Sequence, residues 1–201
     1  MRLIVVRHGQ TACNTKNVWH GWDDCGLTDT GLAQAAAVAD RLAGEKIDAV
    51  YSSDSRRAFQ TAQAIAARHG LEPVADPGLR ERNAGEYEGI PVDDVVAARP
   101  TVWKERNADL WGWSPPSGET FTTVWERLRA VIERLQERHD GQTVVVVTHM
   151  SPMRILISRL ANTPIEQTYE LEFPSTGVSI FSLAGDEVHV EALNDAAHVN
   201  P

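Results

Sequence analysis

Three short apolar runs lie where buried strands are expected. They are Leu3–Val6, Ala49–Tyr51 and Val144–Val147. None of them alternates with polar residues, which is typical of strands that are covered on both faces. We therefore predict three parallel strands in the interior of a sheet.

Apolar residues at helical spacing lie between and after these runs. The predicted stripes are Leu32, Ala35, Ala36, Ala39 and Leu42; then Ala58, Ala62, Ile65 and Ala66; then Val124, Leu128, Val131, Ile132 and Leu135. Each follows the spacing of three and four residues that marks one helix face. Thr28 can cap the first helix, and a further helix is expected to begin near Pro152.

Strands that alternate with helices predict an α/β fold, a three-layer sandwich with a mostly parallel central sheet and helices on both faces. The segment Val178–Leu193 predicts two further strands around a Gly185-Asp186 turn. A Trp- and Pro-rich stretch at about 85–118 predicts a lid-like insertion over one end of the sheet, with its aromatic side chains mostly as packing. No repeat or linker interrupts the chain, so we expect one domain over 1–201.

The net charge and the short N-terminal apolar run exclude some classes of function and location. The net charge of −9 argues against nucleic acid as a main partner, because phosphate backbones require a basic surface. The apolar run at Leu3–Val6 is too short for a signal peptide or membrane span, so a cytoplasmic protein is expected. Cys13 and Cys25 are expected to stay reduced in that compartment; the alternative is a local disulfide, because both fall in one loop.

Polar residues directly follow each predicted strand. Arg7 and His8 come after the first, Arg56 and Arg57 soon after the second, and His149 after the third. Ligands of parallel sheets bind beyond the carboxyl ends of the strands. These side chains should therefore converge at one edge.

Two interpretations of this convergence compete with phosphate chemistry. Two histidines could bind a metal together with Asp23 or Asp24, but neighbouring arginines disfavour a cation and suit a phosphoryl dianion. The histidines could also be ordinary buried residues, although both lying at strand ends argues against that. A neutral imidazole beside arginines can instead act as a covalent nucleophile, and we expect no metal.

An ordered set of motifs resembles the histidine phosphatase superfamily, in its phosphoglycerate mutase-like branch. The matching stretches are Arg7–Thr11 with Asn14, Gly21–Asp23, Leu27-Thr28, Gly31, Gln34-Ala35, Tyr51–Ser53, Arg57-Ala58, Gln60–Ala62, Leu79–Glu81, Gly85, Glu88-Gly89, Gly118–Thr120 and Val147–His149. They cover nearly the whole chain in order, which makes the set far more specific than any single motif.

The resemblance implies a role for each matching residue. His8 would be the phosphorylated nucleophile, and Glu81 the proton donor to the leaving group. Arg7, Arg57 and His149 would complete the phosphate pocket, with Asn14, Thr11, Gly21 and Met150 as further substrate or phosphate contacts. Arg56 competes with Arg57, but the two point about 100° apart on a helix, and the motif spacing favours Arg57.

The residues after His149 separate branches of the superfamily. Thr148–Arg154 is similar to the phosphoserine phosphatases and α-ribazole phosphatases, where Met150 replaces a commoner glycine. The expected function is hydrolysis of a small phosphorylated metabolite, without a cofactor. A cofactor-dependent phosphoglycerate mutase is the main alternative, although such mutases carry a longer segment after the Glu81 region. A non-catalytic phosphate-binding module is the other, and a homodimer is left open.

Overall fold

A six-stranded sheet forms the centre of the computed structural model, which describes residues 1–185 and 187–199. The strands are β1 (Arg2–Arg7), β2 (Ala49–Ser52), β3 (Val74–Ala75), β4 (Thr143–Thr148), β5 (Val178–Ala184) and β6 (Glu187–Asp195). Their order is β3-β2-β4-β1-β5-β6. The first four are mutually parallel, whereas β5 is antiparallel to β1 and β6 to β5. The mostly parallel sheet predicted from the sequence is confirmed.

Within the described ranges, seven helices surround the sheet. They are α1 (Ala12–Thr15), α2 (Asp29–Leu42), α3 (Arg56–Arg68), α4 (Val92–Ala98), α5 (Val102–Ala108), α6 (Phe121–Arg138) and α7 (Met150–Leu160). Short 3-10 turns occupy Pro77–Leu79, Gly85–Tyr87 and Gln167–Glu170. Among the residues that the structure describes, no helix is both long and apolar enough to cross a membrane.

Alternate residues of the central strands pack into two separate cores. Leu3 and Val5 of β1 join a cluster with the buried faces of α6 and α7. Ile4 and Val6 join the cluster formed with α2 and α3. Because both faces are covered, polar residues cannot alternate with apolar ones along these strands. The uninterrupted apolar runs in the sequence have this physical origin.

The predicted helix faces are correct for α3 and α6 but partly wrong for α2. Leu32 is 48% exposed and Ala36 is also exposed, whereas Gly31 and Val38 are buried in their place. A side chain at Gly31 would overlap the main chain of Gln10, so the helix approaches the loop after β1 along its glycine. That contact turns the buried face of α2 away from Leu32.

Two other features differ from or extend the sequence prediction. β3 is absent from it, because the strand is two exposed residues long and has no apolar pattern. The predicted C-terminal pair of strands is confirmed as β5 and β6, with β6 continuing to Asp195. Asp186 of the predicted turn lies outside the described residues.

The segment 85–118 contains α4 and α5 and borders the carboxyl end of the sheet. Trp19 stacks on Trp103 at a ring distance of 5.6 Å and also packs on Tyr87 and Trp113. Trp111 packs instead against the core beneath α6 and α7. The aromatic residues thus divide between core packing and an aromatic cluster at the end of the sheet, and the lid role stays a prediction.

Two leucines of α2 allow a matched test of this packing. Leu42→Ala should lower the free energy of unfolding by about 2–5 kcal/mol, because Leu42 is 2% exposed and its removal leaves a cavity. Leu32→Ala should change it by less than about 0.5 kcal/mol. Urea denaturation of both variants measures the difference, and equal losses would contradict the assigned face.

Candidate active site

The two histidines predicted to meet at the sheet edge do so. β1 and β4 are adjacent and parallel, and the backbone N–H of His8 donates to the carbonyl of Thr148 at 3.0 Å. The rings of His8 and His149 lie 5.0 Å apart in an edge-on arrangement. Both residues are buried. Register between neighbouring strands therefore fixes their separation.

A main-chain contact sets the tautomer of His8. Its Nδ1 lies 2.7 Å from the carbonyl oxygen of Gly9, which can only accept a hydrogen bond. Nδ1 therefore carries the proton, and the neutral ring has its lone pair on Nε2. A basic nitrogen that faces away from the backbone is the atom needed for nucleophilic attack.

Burial and positive neighbours keep both histidines neutral. The pKa of His8 is lowered well below its ordinary value, first by burial and then by the charges of Arg7 and Arg57. The pKa of His149 is lowered in the same way, by burial and then by Arg57. An unprotonated imidazole at neutral pH follows.

Arg57 has no exposed surface, and neither it nor His149 is among the residues that line the cavity. Its Nη1 donates to the carbonyl of Asp23 at 2.7 Å and its Nη2 to the carbonyl of Gly21 at 2.6 Å. Its Nε donates to Nδ1 of His149 at 3.3 Å. Arg56 is exposed. The helix register predicted for this pair is therefore correct.

Gly21 contributes its main chain rather than a side chain. Its carbonyl accepts from Arg57, and its N–H donates to Glu88 at 3.0 Å. A Cβ at this position would lie 2.6 Å from the carbonyl oxygen of Arg82. A glycine is therefore required here, because the loop of Gly21 packs closely against the loop of Arg82 while its carbonyl binds Arg57.

Arg7 and Glu81 both line the cavity with His8. Nη1 of Arg7 donates to the carbonyl of Phe173, while its buried Nε has no hydrogen-bond partner within the described part of the chain. Burial and then the charge of Arg57 act to lower the pKa of Arg7, and Glu81 opposes them. An unpaired cation therefore lies next to the candidate nucleophile.

Glu81 is fixed by its main chain and by its carboxylate. Its carbonyl accepts from Nε1 of Trp22 and from Nη2 of Arg127, each at 2.9 Å. Its carboxylate accepts from the N–H of Arg82 at 2.7 Å and from the N–H of Ser151 at 3.3 Å. Only 8% of the residue is exposed. Its carboxyl group is thus held by two main-chain N–H groups in the wall of the cavity that His8 also lines.

The remaining predicted contacts have different positions. Asn14 lines the cavity, while Thr11 is fully buried and its hydroxyl caps α1 by bonding to Asn14. Met150 is 40% exposed and lines the cavity at the start of α7. Direct contact of Thr11, Asn14 or Met150 with substrate stays a prediction.

The cavity has a volume of about 290 Å³ and includes residues that the sequence analysis did not select. These are mainly cationic and aromatic: His20, Arg82, Arg106 and Arg154, with Trp19, Phe121 and Tyr169. Arg82 lies over Phe121 and Trp113, and Arg154 over Tyr169 at 3.9 Å. They lie on separate loops and helices rather than directly after a predicted strand, so the prediction from strand ends did not find them.

The expectation that Cys13 and Cys25 stay reduced is wrong for this structure, which joins them in a disulfide. That expectation came from the compartment alone, whereas the fold brings their Cα atoms within 6.4 Å. Cys13, His20 and Asp23 also form the one trio of potential metal-binding groups found among the described residues. We assign no metal there, because the sulfur is bonded to Cys25 and Arg57 adds a positive charge against Asp23.

The buried neutral histidines predict how stability changes with pH. The unfolded chain binds protons on them below about pH 6.5, whereas the folded chain does so only at lower pH. Stability should therefore fall between about pH 6.5 and 5, by up to about 1.4 kcal/mol per pH unit for each histidine. Urea denaturation at several pH values measures this slope. The double variant His8→Gln/His149→Gln should show a shallower one, and an equal slope in both proteins would contradict the explanation.

Comparison with known proteins places this chain in a family. The model described as the histidine phosphatase superfamily (branch 1) matches residues 3–196. A 2,3-bisphosphoglycerate-dependent phosphoglycerate mutase of Brucella melitensis is 38% identical over an alignment of 191 residues, and the match covers 89% of this chain and 89% of that protein. A mycobacterial glucosyl-3-phosphoglycerate phosphatase in complex with VO3 has a TM-score of 0.89 and 28% identity, covering 97% of this chain and 99% of that one. The α-ribazole phosphatase of Shigella flexneri has a TM-score of 0.86 and 26% identity, covering 97% and 96%. The chain belongs to branch 1 of the histidine phosphatase superfamily.

Proposed function

We propose that the protein is a phosphomonoesterase that transfers the phosphoryl group of a small metabolite to His8 and then to water. The observation that carries this proposal is the state of His8, whose Nδ1 is bonded to Gly9, so that Nε2 keeps its lone pair, in a cavity that Arg7 and Glu81 also line. A fixed tautomer, a low basicity towards protons and adjacent cations together favour attack on a phosphate.

In the first step, Nε2 of His8 forms a bond to phosphorus as the ester P–O bond breaks. Arg7 and Arg57 stabilise the negative charge of the transferring group, and the protonated carboxyl of Glu81 gives its proton to the leaving oxygen. In the second step, Glu81 takes a proton from water as the water oxygen attacks phosphorus and the P–N bond breaks. The products are inorganic phosphate, an alcohol and the regenerated enzyme.

The family relations support a phosphatase acting on a small substrate. Two structural relatives are named as phosphatases and match over nearly their whole length. The cavity is lined by His8, Glu81 and several arginines, an arrangement that suits a phosphorylated compound of limited size. The same retained side chains argue against a non-catalytic binding module.

A phosphoglycerate mutase is the second candidate, because the Brucella relative of that name is 38% identical. Chain length does not separate the two functions here, since the match spans 89% of that relative. The two mechanisms share phosphorylation of His8 but differ in what accepts the phosphoryl group afterwards. Water accepts it in a phosphatase, and a phosphoglycerate accepts it in a mutase.

Rapid quenching with a labelled phosphomonoester should trap acid-labile, base-stable phosphate on His8. Peptide mapping identifies the labelled residue, and labelling should persist in EDTA because no step needs a metal. The exposed His189 offers a control, as His189→Asn should label normally while His8→Asn does not. Label on a serine, cysteine or aspartate would overturn the mechanism.

The fate of the trapped phosphate distinguishes the two candidates. Phosphohistidine that decays in buffer alone, with release of inorganic phosphate at the rate of turnover, supports the phosphatase. Phosphohistidine that persists until a phosphoglycerate is added, with activity dependent on a bisphosphoglycerate, would establish the mutase instead.

Glu81→Gln should slow phosphorylation by alkyl phosphates by about a hundredfold or more, because an alkoxide needs a proton in order to leave. Aryl phosphates should lose less than about tenfold, since nitrophenolate leaves without one. Single-turnover kinetics isolates this step from hydrolysis. Glu86→Gln, at an exposed carboxylate bonded to Ser117, is the matched control. An equal loss on both substrate types would assign the acid elsewhere.

A further inference from the structure

A third histidine, which no step above uses, borders the cavity with His8 and Glu81. The side chain of His20 is 8% exposed, and its Nδ1 is hydrogen-bonded to Oδ1 of Asp23. Its Nε2 is buried and has no hydrogen-bond partner among the described residues. A buried ring nitrogen without a partner is costly and uncommon in folded proteins. Its position in the wall of the cavity indicates a partner that arrives with the ligand.

The other two histidines of the site are bonded differently. Nδ1 of His8 is bonded to Gly9, and both ring nitrogens of His149 have partners, Arg57 at 3.3 Å and Ser55 at 3.2 Å. Within the described part of the chain, neither ring is hydrogen-bonded to a carboxylate. His20 alone of the three combines a carboxylate partner with a buried, unpartnered nitrogen. The carboxylate stabilises an imidazolium, and the open Nε2 can take up the proton.

Burial and three charged residues of neighbouring elements shift the pKa of His20. Burial and then Arg57 of α3 lower its pKa, whereas Asp23 of its own loop and Glu81 raise it. His8 and His149, at the ends of β1 and β4, are neutral neighbours, and Cys13 does not titrate because it is in the disulfide. The pKa values of all three histidines are lowered. Because His20 is the one of the three that is hydrogen-bonded to a carboxylate, a negative charge added to the cavity should protonate His20 first.

We propose that His20 binds one proton when a phosphoryl group enters the site, and that its Nε2–H then donates a hydrogen bond to a phosphoryl oxygen. A monoanionic phosphate supplies the proton from its own P–OH group, which leaves the phosphoryl dianion and the imidazolium. A dianionic phosphate takes the proton from solvent. In both cases Asp23 stabilises the imidazolium through Nδ1–H.

The consequence for catalysis is a cation that exists only while the phosphoryl group is bound. A permanent positive charge on His20 would add to the repulsion between Arg7 and Arg57, which already act on each other. Protonation of His20 also spares His8, which must stay unprotonated in order to attack. This inference rests on the proposed function only in placing a phosphoryl group beside His8.

Calorimetry with inorganic phosphate tests the proposal without turnover. Titrations at about pH 8, where phosphate is a dianion, in two buffers of different ionisation enthalpy give the number of protons bound with each phosphate. The wild-type protein should bind close to one proton, and His20→Gln close to none. Asp23→Asn keeps the ring but removes its carboxylate, and should bind fewer protons than the wild type.

Nuclear magnetic resonance of the wild-type histidine rings provides a measurement that does not depend on the folding of a variant. The His20 Cε1–H signal, identified by its loss in His20→Gln, should move towards the imidazolium position when phosphate is added at pH 8. Equal proton uptake in wild type and His20→Gln, or an unchanged His20 signal in the phosphate complex, would overturn the role of His20 alone. Absence of phosphate binding by the wild-type protein would overturn the proposed function together with this inference.

Discussion

The buried guanidinium of Arg57 connects the parts of this site that the chain supplies from distant positions. It reaches the carbonyls of Gly21 and Asp23 in the loop after α1, and it contacts His149 at the end of β4. A planar group with five donors can meet several acceptors at fixed angles, which a lysine cannot. Carbonyl oxygens of the main chain accept hydrogen bonds from this buried cation, so its position also fixes the loop that carries His20.

Electrostatics inside the site is opposite in sign to that of the whole chain. The protein carries a net charge of −9, yet the cavity wall includes Arg7, Arg82, Arg106 and Arg154. Three of these, Arg82, Arg106 and Arg154, lie over aromatic rings. Arg106 also donates to Asn107, and Arg154 to Thr168. An acidic surface around a cationic cavity favours small anions over extended ones such as nucleic acids, whose phosphates would meet repulsion outside the site.

Much of the fold and the centre of the site could be predicted because they follow from periodicity and from strand ends. Uninterrupted apolar runs identified β1, β2 and β4, and the position of His8, Arg57 and His149 after the carboxyl ends of these strands predicted that they meet. What could not be predicted depends on contacts between loops. The exposed position of Leu32 arises from the approach of Gly31 to Gln10, and the position of His20 arises from Arg57 and Asp23. Such contacts join residues with no shared spacing, so a sequence pattern does not record them.

The Cys13–Cys25 disulfide closes a covalent ring whose sequence separation is 12 residues, and His20, Gly21 and Asp23 lie inside it. Closing a ring of this size removes conformations from the unfolded chain that are worth about 3 kcal/mol in the loop-entropy description. The stabilisation applies to the very segment whose carbonyls bind Arg57. Preparations made with and without a thiol reductant are therefore two chemical species, which differ in how tightly the segment between Cys13 and Cys25 is constrained. Exposure of a sample to oxidant or reductant thus belongs among the variables that set its catalytic rate.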